Sequence, residues 1–257
     1  MLVRIQGIVL KTYSKGEDDR LLLILTPQLG FLRVLAPRAE RPGHALSAAT
    51  QVLAKSDFIL YRPAAGIAVI RQASLLDAYA DLRSHVERLS YALAMLELFS
   101  RISEAVQDCA REEFVLVQLY KDMIASLERL RTADAPLFAL AHLAILTLPW
   151  LGLSLSYTTC AACFSSLPHE TSVFSFLHGG FLCPSCQREE KNQGALMLHP
   201  RVRLLMEKMS QAHVDQLREV RVEVNLQKQI YVAIALFLRE YAGIVLRSFE
   251  VIQQLQE

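Results

Sequence analysis

Residues 2–36 read LVRIQGIVLKTYSKGEDDRLLLILTPQLGFLRVLA, and this stretch decides the N-terminal fold. Val3, Ile5, Gly7 and Val9 alternate with Arg4, Gln6, Ile8 and Leu10, the period of two that a strand imposes on its side chains. Arg20–Thr26 and Phe31–Ala36 are short apolar-rich segments set off by Lys15-Gly16, Pro27 and Gly30. Further along, Gln51–Arg62 and Gly66–Leu75 have the same character, with Arg41-Pro42-Gly43, Pro63 and Gly66 as breaks. Five short strands in roughly 80 residues predict a small barrel, either the five-stranded OB barrel or an SH3-like one.

From Asp81 the period changes to about 3.6 residues, the helical value. Val86, Leu89, Leu93, Leu96, Phe99, Ile102 and Val106 fall on one face of a first helix. A second is predicted over Glu112–Leu130, a third from Asp134 toward Gly152, and a last over Leu226–Tyr241 with Asn225 as its N-cap. Arg218–Val224 (REVRVEV) alternates and is left open as a short strand. Ala135–Tyr157 carries no formal charge over 23 residues, enough to span a bilayer. Pro149, Gly152 and His142 interrupt it, and its amphipathic neighbours need an apolar partner, which favours a buried core helix.

The whole chain has 257 residues, 53% of them apolar and 21% charged, with a net charge of +1. That composition excludes a disordered chain and a highly basic nucleic-acid coat, but not a local basic face. The charge is segregated: residues 1–80 carry +4, residues 81–150 carry −3, and the remainder is close to neutral. Met1–Thr12 contains Arg4 and Lys11 and lacks the apolar core of a secretory leader, so a reducing, cytoplasmic setting is expected.

Cys160-x2-Cys163 is followed, after nineteen residues, by Cys183-x2-Cys186. Each C-x2-C turn aims two thiolates at one point, and two such turns complete a tetrahedron, the layout of a structural Zn2+ site. Ser172–Cys183 reads as a hairpin turning near Gly179-Gly180, which brings the two knuckles together in a zinc-ribbon arrangement. Disulfides and a redox pair are the alternatives; the first needs an oxidising compartment, the second a thioredoxin-like strand. Four thiolates around one Zn2+ leave the site doubly negative. Cys109 stands apart near a helix end, where a small, partly buried thiol is expected. His178 lies beside the hairpin and reads as a turn residue rather than a ligand.

The sequence contains no phosphate-binding glycine loop, no H-E-x-x-H and no G-x-S-x-G. His169-Glu170 and Leu182-Cys183 do not fit the zinc-deaminase signature. A binding protein is favoured over an enzyme. The barrel supplies ten Lys and Arg residues, with Tyr13, Phe31, Phe58, Tyr61 and Tyr79 as aromatic companions, each of which is also a candidate for the barrel interior.

The chain resembles the bacterial RecO family of DNA repair and recombination mediators. The resemblance is carried by Gly7-Ile8-Val9-Leu10, Tyr13, Gly16-Glu17-Asp18-Asp19-Arg20-Leu21, Leu25-Thr26, Gly30 and the loop after Leu35-Ala36. The four cysteines, Arg239-Glu240-Tyr241-Ala242-Gly243 and Leu246-Arg247-Ser248 continue it in the same order. It implies a multidomain α+β chain: an OB barrel over residues 1–80 and an α-helical domain over 81–257, with a zinc-finger-like insert at 157–195. It also implies a non-enzymatic mediator of the RecF pathway, cytoplasmic and nucleoid-associated. Such a mediator binds single- and double-stranded DNA, anneals strands and contacts the acidic C-terminal tail of single-stranded DNA-binding protein. With RecR it helps load RecA.

On that reading Lys11, Arg33, Arg38 and Arg41 hold DNA phosphates, with Lys15, Arg20, Lys55 and Arg62 beside them, and Cys160, Cys163, Cys183 and Cys186 hold Zn2+. One departure stands out. The family loop usually resembles A-K-G-A-R-R, whereas this chain has Ala36-Pro37-Arg38-Ala39-Glu40-Arg41, which dilutes the basic charge. The competing reading is a membrane-associated zinc-ribbon scaffold anchored by Ala135–Tyr157, and a weaker one a zinc-dependent redox protein.

Overall fold

A computed structural model describes residues 1–105, 113–132, 135–189, 194–217 and 220–248. Five strands open the chain: β1 (Leu2–Lys15), β2 (Asp19–Thr26), β3 (Gly30–Ala36), β4 (Lys55–Tyr61) and β5 (Ala68–Asp77). They close into a barrel in the order β1-β2-β3-β5-β4. β1 is antiparallel to both β2 and β4, and β3 meets β5 in parallel through Val34↔Ala68 and Leu35↔Val69. This is the OB arrangement, and it sets the SH3-like alternative aside. β4 starts at Lys55, not Gln51. Leu53 turns the chain with φ 73°, while the Leu53 and Val9 amides donate to the Val9 and Ala54 carbonyls.

β1 is long because it serves two neighbours. It pairs with β4 over Leu2–Ile8 and with β2 over Ile8–Lys15, and its register shifts between Val9 and Lys11. Such a bulge bends the strand and closes the barrel. Inward positions Ile5, Val9, Leu22, Ile24, Val34, Phe58, Leu60 and Ile70 fill the interior. Gly7 is required by proximity: a Cβ there would meet the Leu25 carbonyl oxygen at 3.0 Å and Thr26 Cγ2 at 3.1 Å.

The helices follow as α1 (Ala80–Arg83), α2 (Val86–Ala105), α3 (Glu113–Thr132) and α4 (Pro136–Thr147). α2 packs on β1, and Tyr120 of α3 donates its hydroxyl to Gln6 at 3.3 Å. Val106, Cys109 and Asp134 lie outside the described residues. The third expected helix is shorter than the apolar run that suggested it. α4 has twelve residues and passes into a 3-10 turn, Leu148–Leu151, that Gly152 ends with φ 71°. Twelve residues span about 18 Å, against a hydrocarbon core of about 30 Å. No described helix is long and apolar enough to cross a membrane, so the membrane-scaffold reading loses its anchor.

The rest of the chain forms β6 (Val173–Ser175), β7 (Gly180–Phe181), α5 (Pro184–Glu189), β8 (Ala195–Met197), α6 (Pro200–Gln211) and α7 (Val224–Ala242). A small sheet runs β7-β6-β8. α4 is buried nearly all round because α6 and α7 both pack against it. Sequence periodicity overlooks α6: its start is His199-Pro200, and the His199 ring, an unusual cap, accepts from the Arg201 amide at 3.2 Å. α7 begins at Val224, with Glu223 rather than Asn225 in the capping position. Val220–Glu223 form no strand, and Arg218 and Glu219 lie outside the described residues. Compactness divides the chain into Met1–Leu127 together with Ser248, and Glu128–Arg247. Residue 80 therefore falls inside the first compact unit.

His142 on α4 holds the end of α6. Its Nε2 lies 2.9 Å from the Met209 carbonyl and 3.0 Å from that of Ala212, so Nε2 carries the proton and donates. Burial, with Arg129 nearby, lowers its pKa from 6.5 to about 4. The unfolded chain therefore takes up a proton that the folded one refuses. Stability is full above pH 6.5 and declines below it by about 1.4 kcal/mol per pH unit until the folded histidine titrates. His142→Gln should flatten that slope, as measured by urea unfolding between pH about 4 and 7.

Candidate nucleic-acid face and four-cysteine cluster

Strand register sorts the eight expected DNA contacts. Lys11 pairs with Leu23, and Leu23 pairs with Arg33, so Lys11 and Arg33 share one outward row across β1, β2 and β3. Tyr13 is the next outward position on β1; it is exposed, and Lys11 Nζ lies 4.8 Å from its ring centroid. Lys55, opposite Ile8, is also outward, since Ser56, Phe58 and Leu60 point in. Lys15 ends β1 opposite Asp19, and Arg62 follows β4 with its amide bonded to the Met1 carbonyl at 2.9 Å; both side chains are exposed.

Arg20 is placed differently. It falls in the inward row with Leu22 and Ile24, and its side chain is only 14% exposed. Nε and Nη2 donate to the two carboxylate oxygens of Glu40 at 3.0 and 3.1 Å, and Nη1 donates to Thr50 Oγ1 at 3.1 Å. Arg20 is thus a strut for the loop after β3, not an exposed phosphate contact. Arg41 is engaged as well: its Nε donates to Asp18 at 2.7 Å. Those donations hold the Glu40 and Asp18 carboxyls below their ordinary values. Arg38 has a left-handed backbone, φ 55°, and its amide donates to Asp19 at 2.9 Å while its side chain stays exposed. Of the eight, Lys11 and Arg33 share an outward row with Tyr13 stacked under Lys11, and a ninth cation, exposed Arg71, lies 5.4 Å from the Tyr61 ring centroid. Such a row suits backbone phosphates and a stacked base.

The four cysteines meet in the second compact unit. Their sulfurs all lie within 4.8 Å of one another. Thr159↔Ser166 bridge the first knuckle, and the Cys160 amide donates to the Ser165 carbonyl at 2.7 Å. β6 and β7 form the expected hairpin through Phe174↔Phe181 and Ser175↔Gly180. Cys183 follows β7, and Cys186 lies on α5. The Ala161 amide donates to Phe181, and the Cys183 amide to Cys160 Sγ at 3.3 Å, which ties one knuckle to the other.

The donor set fits Zn2+. Bonds of about 2.3 Å give a tetrahedral edge of about 3.8 Å. Cys163 and Cys183 sulfurs are 3.8 Å apart; a disulfide would need about 2.05 Å. Donation from Ser165 lowers the Cys163 pKa, and the Cys186 amide brings Cys183 down to about 6. Hydrogen bonding with Cys163 pushes Cys186 up. The opposed directions are those of thiols held close enough to share protons, and a central divalent cation would favour the thiolate form. His178 sits in the exposed β6–β7 turn and is not part of the cluster.

Two further residues support the insert: Arg203, which carries no motif, and Tyr241, from the Arg239–Gly243 stretch. Arg203, on α6, is buried; it donates to the Tyr157 carbonyl and, at 3.1 Å, to that of Pro168, on either side of the first knuckle. Tyr241, at the end of α7, donates to the Phe176 carbonyl at 2.9 Å, in the turn of the hairpin. Arg203→Met should destabilise the chain by about 2–4 kcal/mol, since buried carbonyls lose a charged donor. Urea unfolding of parent and variant measures this.

Comparison with known proteins covers both halves of the chain. The family model for the N terminal part of recombination protein O matches residues 1–79, and that for its C terminal part matches residues 83–250. The chain is 27% identical over 258 residues to the DNA repair protein RecO of an Exiguobacterium species, spanning 99% of this chain and 97% of that protein. It is 30% identical over 196 residues to the RecO of Acetivibrio thermocellus, spanning 76% and 74%. It is 24% identical over 257 residues to the RecO of Bacillus cereus, spanning 100% and 99%.

Proposed function

The chain belongs to the recombination protein O family, and from that premise we propose that it is a non-enzymatic mediator of recombinational DNA repair. The observation that carries the reading is the outward Lys11–Arg33 row, with Tyr13 and Lys55 beside it, on a closed OB barrel. In this reading residues 1–80 hold single- or double-stranded DNA and anneal strands. Residues 81–257 engage protein partners, and the insert at 157–195 carries a structural Zn2+ on Cys160, Cys163, Cys183 and Cys186. The protein works in the cytoplasm at the nucleoid, and with RecR it helps RecA onto strands coated with single-stranded DNA-binding protein.

The DNA contacts are Lys11, Arg33, Lys55, Arg38, Lys15 and Arg62, with Arg41 shared with Asp18 and Arg20 left to the loop. Lys11→Glu with Arg33→Glu should weaken single-strand binding and flatten its salt dependence by about 1.4 in log-log slope, two phosphate contacts at about 0.7 each. Unchanged affinity across a salt series would remove the barrel face from the mechanism. In the same reading Cys183→Ser loses the metal. Elemental analysis should find one zinc per parent chain and none in the variant; a zinc-free parent overturns the metal assignment.

A groove of about 320 Å³ beside α6 suits the acidic, apolar tail of single-stranded DNA-binding protein. Leu204, Leu205, Val222 and Leu226 line it together with Arg201, Lys208 and Arg221, three cations against the single carboxylate of Glu223. Arg201→Glu with Arg221→Glu should reduce capture of a tail peptide at least tenfold, the equivalent of about 1.4 kcal/mol, while single-strand binding by the barrel persists. Annealing of coated DNA, with and without the tail, tests the mediator reading itself.

A further inference from the structure

Four residues other than glycine take up left-handed backbone among the described residues: Arg38, Leu53, Tyr79 and Phe164. A Cβ in that region meets the following carbonyl, so some compensation is needed. Leu53 and Tyr79 are wholly buried, and packing supplies it. The Arg38 amide is held by Asp19. Phe164 has φ 61° and is 78% exposed. The knuckle imposes the conformation, with the Phe164 amide donating to the Cys160 carbonyl at 2.9 Å. Glycine would make this turn without strain. Neither the cysteine-lined core cluster nor an aromatic contact among the described residues includes the Phe164 ring, so packing does not account for a phenylalanine here.

We propose that Phe164 is a stacking platform for one unpaired base of single-stranded DNA, a contact outside the barrel. The inference rests on the reading that the chain binds DNA. Its exposed chain neighbours Ser165 and Ser166 add no apolar area to the ring. A phenylalanine offers at most about 150–250 Å², whereas a specific protein interface needs about 1,000 Å². One aromatic face suffices for a base. The turn is fixed by the cysteine cluster, so little ordering is lost on contact. Four thiolates around one divalent ion are net negative and repel phosphate, which makes this a contact to the base alone.

The test uses the full zinc-loaded chain with an oligothymidylate and an abasic strand of the same length. Phe164→Gly should lower affinity for the oligothymidylate by about 5- to 150-fold, the usual range for loss of one base–aromatic stack. Affinity for the abasic strand and the salt slope should not change, and zinc content and melting temperature should stay at or above the parent's. Phe164→Tyr should restore binding. Parent-like binding by Phe164→Gly overturns the proposal, and so does an equal loss on both strands. A variant that loses zinc or melts earlier makes the ring a structural part, which also overturns it. A parent that binds neither strand fails the DNA reading itself, a result distinct from all of these.

Discussion

A five-stranded barrel closes only if every strand finds a neighbour along both edges, and here β1 joins β4 to β2 by bending between Val9 and Lys11. Its first half is committed to β4 and its second to β2. The bend decides which side chains face out on each half, and so it decides where Lys11 and Tyr13 stand. Gly7 lies on the half before the bend, where a Cβ would press on the Leu25 carbonyl oxygen at 3.0 Å. The outward surface of β1 near Ile8 and Leu10 is buried as well, and α2 packs on that strand. The basic face is what remains of the outer wall beyond the helical cover.

Charge on this barrel is organised by pairing more than by number. Arg4 meets Asp57, Arg20 meets Glu40 and Arg41 meets Asp18. Glu40, which in sequence only dilutes the basic loop, is the partner that fixes Arg20 and with it the turn after β3. Whatever they add to stability, these pairs withdraw cations from the pool a phosphate can use. The +4 of residues 1–80 therefore overstates the electrostatic reach of the surface.

Much of this was legible in the sequence because alternation and helical spacing are local. The five strands, the first helices and the two cysteine knuckles all follow from spacing. Arg20 shows what local patterning misses. Its parity with Leu22 and Ile24 already marked it as inward, yet a basic residue beside a turn reads as exposed unless parity is weighed first. α6 lacks a conventional cap, its start being a histidine, although Val202, Met206 and Met209 keep the i, i+4, i+7 spacing of a buried face. Asn225 looked like a cap on composition alone, whereas the chain direction at Glu223 starts α7 earlier. Arg203 carries no motif, because its importance lies in carbonyls 46 and 35 residues away.

The bond from Tyr241 to the hairpin turn reaches beyond local architecture. It joins the last turn of α7 to the far end of the segment whose near end carries the cysteines. Gly179 in that turn is closed to larger residues by the same tyrosine, whose hydroxyl oxygen would lie 2.7 Å from an added Cβ. On the proposed zinc reading, a chain made without metal would hold this hairpin, and with it the last turn of α7, less firmly, and cellular zinc supply would then act on the lifetime of the protein.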